Sequence, residues 1–322
     1  MVLWHPLKTP IDRKANGHKK LNAAPPLVLC CSFLILITLG ALALKLPFAT
    51  YEPISWIQSA FTATSAVTVT GLVVVDTGSV FTPFGQGVIA LLIQLGGLGL
   101  MTFAVVTLMA LGNKVGFIQK TVTKAAFNQT DTSTLVNTAK SVLLFALIVE
   151  SVGIIILTLY WLPEMGLQKS FFHALFYTIS AFNNAGFALS PNSLMLYVED
   201  PVVNLTITCL FIIGGLGFTV LTDLYKSKRW AKLSPYSKLM LISTVIINVI
   251  ALLLIYVIEY DNPKTLQPLS EIGKWLAAWF QAVTPRTAGF NTIAIEELKN
   301  ASTALTMMLS LIHISEPTRP RS

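Results

Sequence analysis

Residues 56–72 read WIQSAFTATSAVTVTGL, a short and mostly apolar segment followed by Thr68, Val69, Thr70 and Gly71. Crossing a hydrocarbon core as a helix takes about 20 apolar residues, so a segment this short suits a re-entrant half-helix better than a span. The pattern recurs twice, as FFHALFYTISAFNNAGF at residues 171–187 and KWLAAWFQAVTPRTAGF at residues 274–290. With Gly71, Gly186 and Gly289 in register, Phe61, Phe176 and Trp279 coincide, and so do Ser59, Ala174 and Ala277. Such an internal repeat governs the architecture.

Outward from these segments lie apolar runs long enough to span: residues 27–48, 87–111, 142–162, 202–224 and 239–258, with a sixth starting near Ala301. One span after the first and second loops a further echo appears. Residues 92–103, LIQLGGLGLMTF, match residues 210–221, LFIIGGLGFTVL, and set Gly96, Gly97 and Gly99 against Gly214, Gly215 and Gly217. Small residues within a span permit close helix packing; a pore-lining or gating role is the alternative.

The composition agrees with a chain immersed in lipid. Hydrophobic residues make up 54% of the 322 positions and charged residues 11%, against about 25% charged in ordinary soluble domains. The net charge of +7 comes from basic clusters between apolar runs, not from one amphipathic face, so nucleic acid is not the implied partner. The basic N-terminus, the segment with Lys114, Lys120 and Lys124, and the segment with Lys226, Lys228, Arg229, Lys232 and Lys238 belong on the cytoplasmic side. Acidic residues, among them Glu52, Asp76, Glu164, Glu199 and Asp261, fall in the opposite connections. The expectation is a multi-pass protein of the plasma or inner membrane with a cytoplasmic N-terminus.

The expected fold is therefore all-α and integral to the membrane, built of tandem helix, pore-loop, helix units. Residues 1–26 form a basic cytoplasmic N-terminus, 27–111 a first unit, 112–140 a cytoplasmic linker and 141–225 a second unit. A linker at 226–238 leads to an incomplete third unit at 239–312 and an atypical tail at 313–322. Cys30, Cys31 and Cys209 lie in apolar stretches without metal-site spacing.

A half-helix entering from outside points its C-terminal end, equivalent to about half a negative charge, into the bilayer. If the chain returns in extended form, its carbonyls can replace the water around a dehydrated cation. Glycine serves the turn because it adopts positive φ freely. A lone TVTG carries little information; three loops agreeing in helix, aromatic, glycine and following span carry much more.

Three polar residues sit at membrane depth. Glu150, in LIVESVGIII, is either functional or a buried hydrogen-bonded carboxyl joining spans. Arg286 stands three positions before Gly289, where its charge would repel a cation held by the loop, so it is expected to hydrogen-bond loop carbonyls from behind. His173 on the second short helix is expected to pack.

TVTGL, NNAGF and TPRTAGFNT, separated by paired spans with GGLG in the second span, resemble the Trk/Ktr/HKT superfamily of potassium transporters, and within it the bacterial Ktr membrane subunits, over residues 27–310. The resemblance implies a potassium-channel-like fold of four units around one filter, of which this chain holds about 2.5. It implies filter residues Thr68, Val69, Thr70 and Gly71; Asn183, Asn184, Ala185 and Gly186; and Arg286, Thr287, Ala288 and Gly289. Glycine at the first of these positions implies potassium, since sodium-selective plant relatives place serine there.

Potassium is then the transported ion and sodium a coupling or activating ion, with no cofactor bound by the chain. Membrane lipid, a second copy forming a homodimer, and a cytosolic nucleotide-binding regulatory ring are the implied partners. The basic cytoplasmic segments suit that ring, or merely topology and anionic lipid.

The third unit departs from the family after ASTALTMMLSLI, where the chain continues HISEPTRPRS. This reads as a truncated frame with a foreign tail, so the 322 residues alone are expected not to transport potassium. Rubidium uptake into vesicles holding only this polypeptide, equal to that of a four-unit relative, would contradict that expectation. Sodium conduction by an HKT-like or Trk-like path is one alternative. A repeat-built secondary transporter is another, but it predicts inverted repeats, whereas these share one orientation. An intramembrane enzyme would need paired catalytic groups, and HExxH, GxSxG and a second deep carboxylate are missing from the sequence.

Overall fold

The computed structural model describes residues 25–97, 99, 132–227 and 229–314. The expected N-terminal segment up to residue 24, the linker region 100–131 with Lys114, Lys120 and Lys124, and the tail from 315 lie outside the described residues. In order the helices are α1 (Pro25–Leu44), α2 (Trp56–Val67), α3 (Thr77–Val80), α4 (Pro83–Gly97), α5 (Thr132–Phe182), α6 (Pro201–Gly215), α7 (Phe218–Ser227), α8 (Pro235–Glu259), α9 (Glu271–Val283) and α10 (Asn300–Ile314). Among the described residues the only β pairing is an isolated bridge between Thr50 and Phe81.

Local chemistry sets the helix starts. Ser55 and Gln58 form a reciprocal capping box at α2. Asp200 accepts from the N–H groups of Val202 and Val203 at α6, and Ser234 caps α8, each just before a proline at the first helical position. The Ser270 hydroxyl accepts from Gly273 N–H at α9. These caps place α2 and α9 where short apolar segments had suggested half-helices.

The second unit is built differently. Helix α5 contains Pro163 and turns at Gly166, whose φ of 72° and ψ of 163° are not helical. The first arm, 132–165, is the span, and the second, 167–182, is the half-helix that follows it. Glycine permits that turn because the left-handed region costs it nothing.

The second span of the second unit is shorter than its apolar run predicts. The expected span 202–224 stops at Gly215, Gly217 takes φ 82°, and α7 starts afresh at Phe218. Gly99 repeats the conformation after α4, with φ 69°. Gly217 is therefore a helix break, which hydropathy cannot show.

Helix α8, with 25 residues, is long enough to cross. Its outer face, with Val245, Ile246 and Val249, is exposed and apolar, as are Leu34, Ile35 and Leu39 on α1 and Val152 and Ile155 on α5. Apolar residues on both the inner and outer faces identify helices whose surroundings are hydrocarbon.

At the C-terminal end of α8 the buried carboxylate of Glu259 ties the third unit together. It accepts from Asn262 Nδ2 at 2.6 Å, Thr265 Oγ1 at 2.7 Å and the Lys299 N–H at 2.9 Å, just before α10. Lys299 Nζ donates to Asp261 Oδ1 at 2.5 Å and holds that carboxyl below its ordinary range. Glu259→Ala leaves several buried donors unmatched, each at about 1–3 kcal/mol, so a loss near 3 kcal/mol is expected. Thermal melting in detergent checks it, and an unchanged midpoint would contradict the staple.

Candidate functional site

Each half-helix ends in the same backbone path. Val69, Asn184 and Thr287, two residues before the three glycines, take φ of 54°, 56° and 62°, while Gly71, Gly186 and Gly289 take 79°, 71° and 74°. The residue between keeps negative φ in every loop. Alternation of handedness turns successive carbonyls toward one side of an extended strand. A left-handed Val or Thr is strained by about 1–3 kcal/mol and persists only where its surroundings impose it.

Hydrogen bonds impose part of it. The N–H of Thr70 donates to Ser65 O at 2.9 Å, and that of Ala185 to Ser180 O at 2.8 Å, identical offsets in two loops. In the third loop Ala288 N–H reaches Thr284 O instead, at 3.1 Å. The Ser180 and Thr284 hydroxyls donate to the carbonyls of Phe187 and Phe290, one residue beyond the glycines, at 2.8 and 2.6 Å.

The three glycines meet. A β-carbon built on Gly71 would lie 2.3 Å from Ala185 O and 3.6 Å from Gly186 Cα. One on Gly186 would lie 2.7 Å from Gly289 Cα, and the reverse distance is the same. The Asn184 side chain adds a bridge by donating to Arg286 O at 3.0 Å.

Side chains three residues before the glycines anchor the loops. Thr68 Oγ1 donates to Thr64 O at 2.7 Å and lies 2.7 Å from Thr70 Oγ1. Asn183 Nδ2 donates to Gln94 Oε1 on α4 at 2.8 Å. Arg286 was expected to bond loop carbonyls; it bonds α8 instead. Its Nε and Nη2 lie 3.2 and 3.0 Å from Asn248 Oδ1, and Nη2 also donates to Thr244 O at 3.4 Å. The guanidinium extends into a polar niche on α8 formed by Asn248 and Thr244.

The first two glycines of each GGLG block form the cradle. A β-carbon on Gly96 would fall 1.9 Å from Val67 O, and one on Gly214 1.7 Å from Phe182 O, the last helical residue of α2 and α5 respectively. On Gly97 it would meet the Asn183 side chain at 2.2 Å, and on Gly215 it would meet Asn184 Nδ2 at 3.1 Å. Close packing, the first of the two sequence readings, accounts for these four glycines.

Glu150 has partners that match its reading as a buried carboxyl joining spans. Gln94 Nε2 lies 2.9 Å from each of its oxygens, linking α5 to α4. His173 packs against Trp161 and Tyr177, at 6.4 Å between ring centroids in both cases. Sequence reasoning passed over Gln94 and Asn248. Both are amides within apolar runs, and that costly placement was the available signal.

The arrangement presents helix C-termini and loop carbonyls around a shared point. Hard cations suit such oxygens, and a carbonyl ring can substitute for an ion's hydration shell. Residues 68–71, 183–186 and 286–289 contain no carboxylate.

A family model described as TrkH, cation transport protein, matches residues 27–315. The Ktr system potassium uptake protein B of Bacillus subtilis is 47% identical over 294 residues, covering 91% of this chain and 66% of that protein. Its counterpart from Vibrio alginolyticus is 40% identical over 297 residues, covering 91% and 65%. The potassium/sodium uptake protein NtpJ of Enterococcus hirae is 33% identical over 301 residues, covering 93% and 66%. The chain thus spans just under two thirds of the length of the first of these relatives. The crystal structure of the potassium transporter TrkH from Vibrio parahaemolyticus superimposes with a TM-score of 0.65 at 20% identity, over 91% of this chain and 57% of that one, and shares the fold. Repeated re-entrant loops, apolar outer faces and a match along nearly the whole sequence converge: the chain is a membrane protein that belongs to the TrkH family of cation transport proteins.

Proposed function

We propose that the gene product carrying this sequence takes up potassium across the plasma membrane, as the pore-forming subunit of a Ktr/Trk-type transporter. The observation that carries the reading is the shared backbone path of the three loops, with left-handed residues at each glycine and two positions before it, converging on one point. Thr68 to Gly71, Asn183 to Gly186 and Arg286 to Gly289 then supply carbonyl ligands to a dehydrated ion, while the Asn183 and Arg286 side chains hold loops in place. The relatives' names, potassium uptake protein B and potassium/sodium uptake protein, support the same cargo. Transport, not catalysis, is the activity.

Sodium acts as coupling or activating ion, and the N-terminus faces the cytoplasm with the basic segments around Lys114 and Lys226. Those segments meet a nucleotide-binding regulatory ring beneath a dimer of membrane subunits. A sodium-conducting path is the second reading, favoured only by the potassium/sodium naming of one relative.

Expression of the gene product in a potassium-uptake-deficient bacterium tests the proposal. Growth at low potassium and rubidium uptake stimulated by sodium are expected. Sodium uptake without rubidium uptake would favour the second reading, and no uptake of either ion would overturn both.

A further inference from the structure

We propose that Gln94 and Glu150 are positioning residues for the second loop: the hydrogen-bonded strut Glu150, Gln94, Asn183 holds that loop against α4 and α5 and so sets which cation the filter prefers. The inference rests on the potassium reading and deepens it.

Gln94 uses both ends of its amide. Its oxygen accepts from Asn183 Nδ2 at 2.8 Å, and its nitrogen lies 2.9 Å from each Glu150 oxygen. Asn183 Nδ2 also donates to Ile179 O at 2.9 Å, and the Asn183 side chain fills the space that a β-carbon on Gly97 would take. The loop is thus gripped one residue before left-handed Asn184, whose strained backbone needs surroundings that over-determine it. The third loop repeats the device: Arg286, at the same register, is held by Asn248 on α8. In the first loop Thr68 bonds, among the described residues, its own helix and loop.

A polar strut through an apolar bundle is costly if broken, because lipid offers no replacement partners. With Asn183 released, the second loop's carbonyls could close on a smaller cation, and discrimination between potassium and sodium depends on how many carbonyls coordinate the ion and at what spacing.

The chemistry supplies its own control. Gln94→Glu sets two carboxylates face to face and removes the donor to Glu150. Adding Glu150→Gln restores both links of the strut: position 94 then accepts from Asn183 Nδ2 and from the amide nitrogen at position 150. A double-mutant cycle isolates this coupling.

The experiment measures the ratio of rubidium to sodium uptake by the gene product in vesicles, which does not depend on how much protein folds. Q94E is expected to lower the ratio about tenfold and Q94E/E150Q to restore it to within about threefold of the parent. A role in folding alone would lower abundance and leave the ratio untouched, and that result overturns the strut. If Q94E fails to fold, the swap decides: a parental ratio supports the strut, and a shift toward sodium, or failure of the swap itself to fold, overturns it. A parent that takes up neither ion overturns the potassium reading together with the strut, whereas a selective parent with unaffected variants overturns the strut alone.

Discussion

Gly71→Ser is expected to reduce the preference for potassium over sodium by tenfold or more, an effect of about 1.4 kcal/mol or greater on the relative barriers. Two costs combine. A residue with a β-carbon in the left-handed region loses about 1–2 kcal/mol relative to glycine, and Gly71 has φ 79°. The new β-carbon would also lie 2.3 Å from Ala185 O, a backbone atom of the neighbouring loop with no rotamer to escape into. One loop must retreat, and the carbonyl that moves is among those proposed to hold the ion. Competitive uptake of labelled rubidium and sodium by the gene product measures the outcome. An unchanged ratio would remove Gly71 from the filter.

Gly214→Val is expected to abolish folding, with a penalty above about 4 kcal/mol, in the range reserved for severe overpacking. The ideal β-carbon would fall 1.7 Å from Phe182 O and 2.8 Å from the carbonyl carbon, at the C-terminal end of the half-helix. Helix α6 would be forced off the second loop. The same argument holds for Gly96 against Val67 O. Gly87 on α4 is the contrast, because a β-carbon there meets nothing within 4 Å. Gly87→Ala should be neutral or stabilising by up to about 1 kcal/mol, since glycine is a poor helix residue. Size-exclusion profiles and thermal melts in detergent separate the cases; a monodisperse Gly214→Val with parental melting would refute the cradle.

Much of this was legible along the chain because membrane constraints are written in length and composition. Half-length apolar segments, their glycines and the repeat in register pointed to re-entrant loops, and the structure has a helix ending before each glycine. The caps were local too: Ser55 with Gln58, and Asp200 before Pro201, act through residues two to three positions away. Span ends were less legible. Hydropathy runs on through residues 202–224, while Gly217 breaks the helix, because apolar character says nothing about φ.

Partnerships across the chain were hidden. Arg286 was read as bonding its own loop, since sequence shows its neighbours and not Asn248, 38 positions away. Gln94 attracted no notice beside the glycines it precedes, although it joins Glu150 to Asn183 across separations of 56 and 89 residues. By itself the sequence determined that the chain lies in a membrane, that it repeats a helix, loop, helix unit, and that each loop turns on a glycine, because lipid imposes length, hydrophobicity and internal backbone pairing on any segment within it. Only the tertiary structure decided which residues touch across the repeats. Those contacts depend on where the helices cross and break, and no rule of spacing within one segment encodes that.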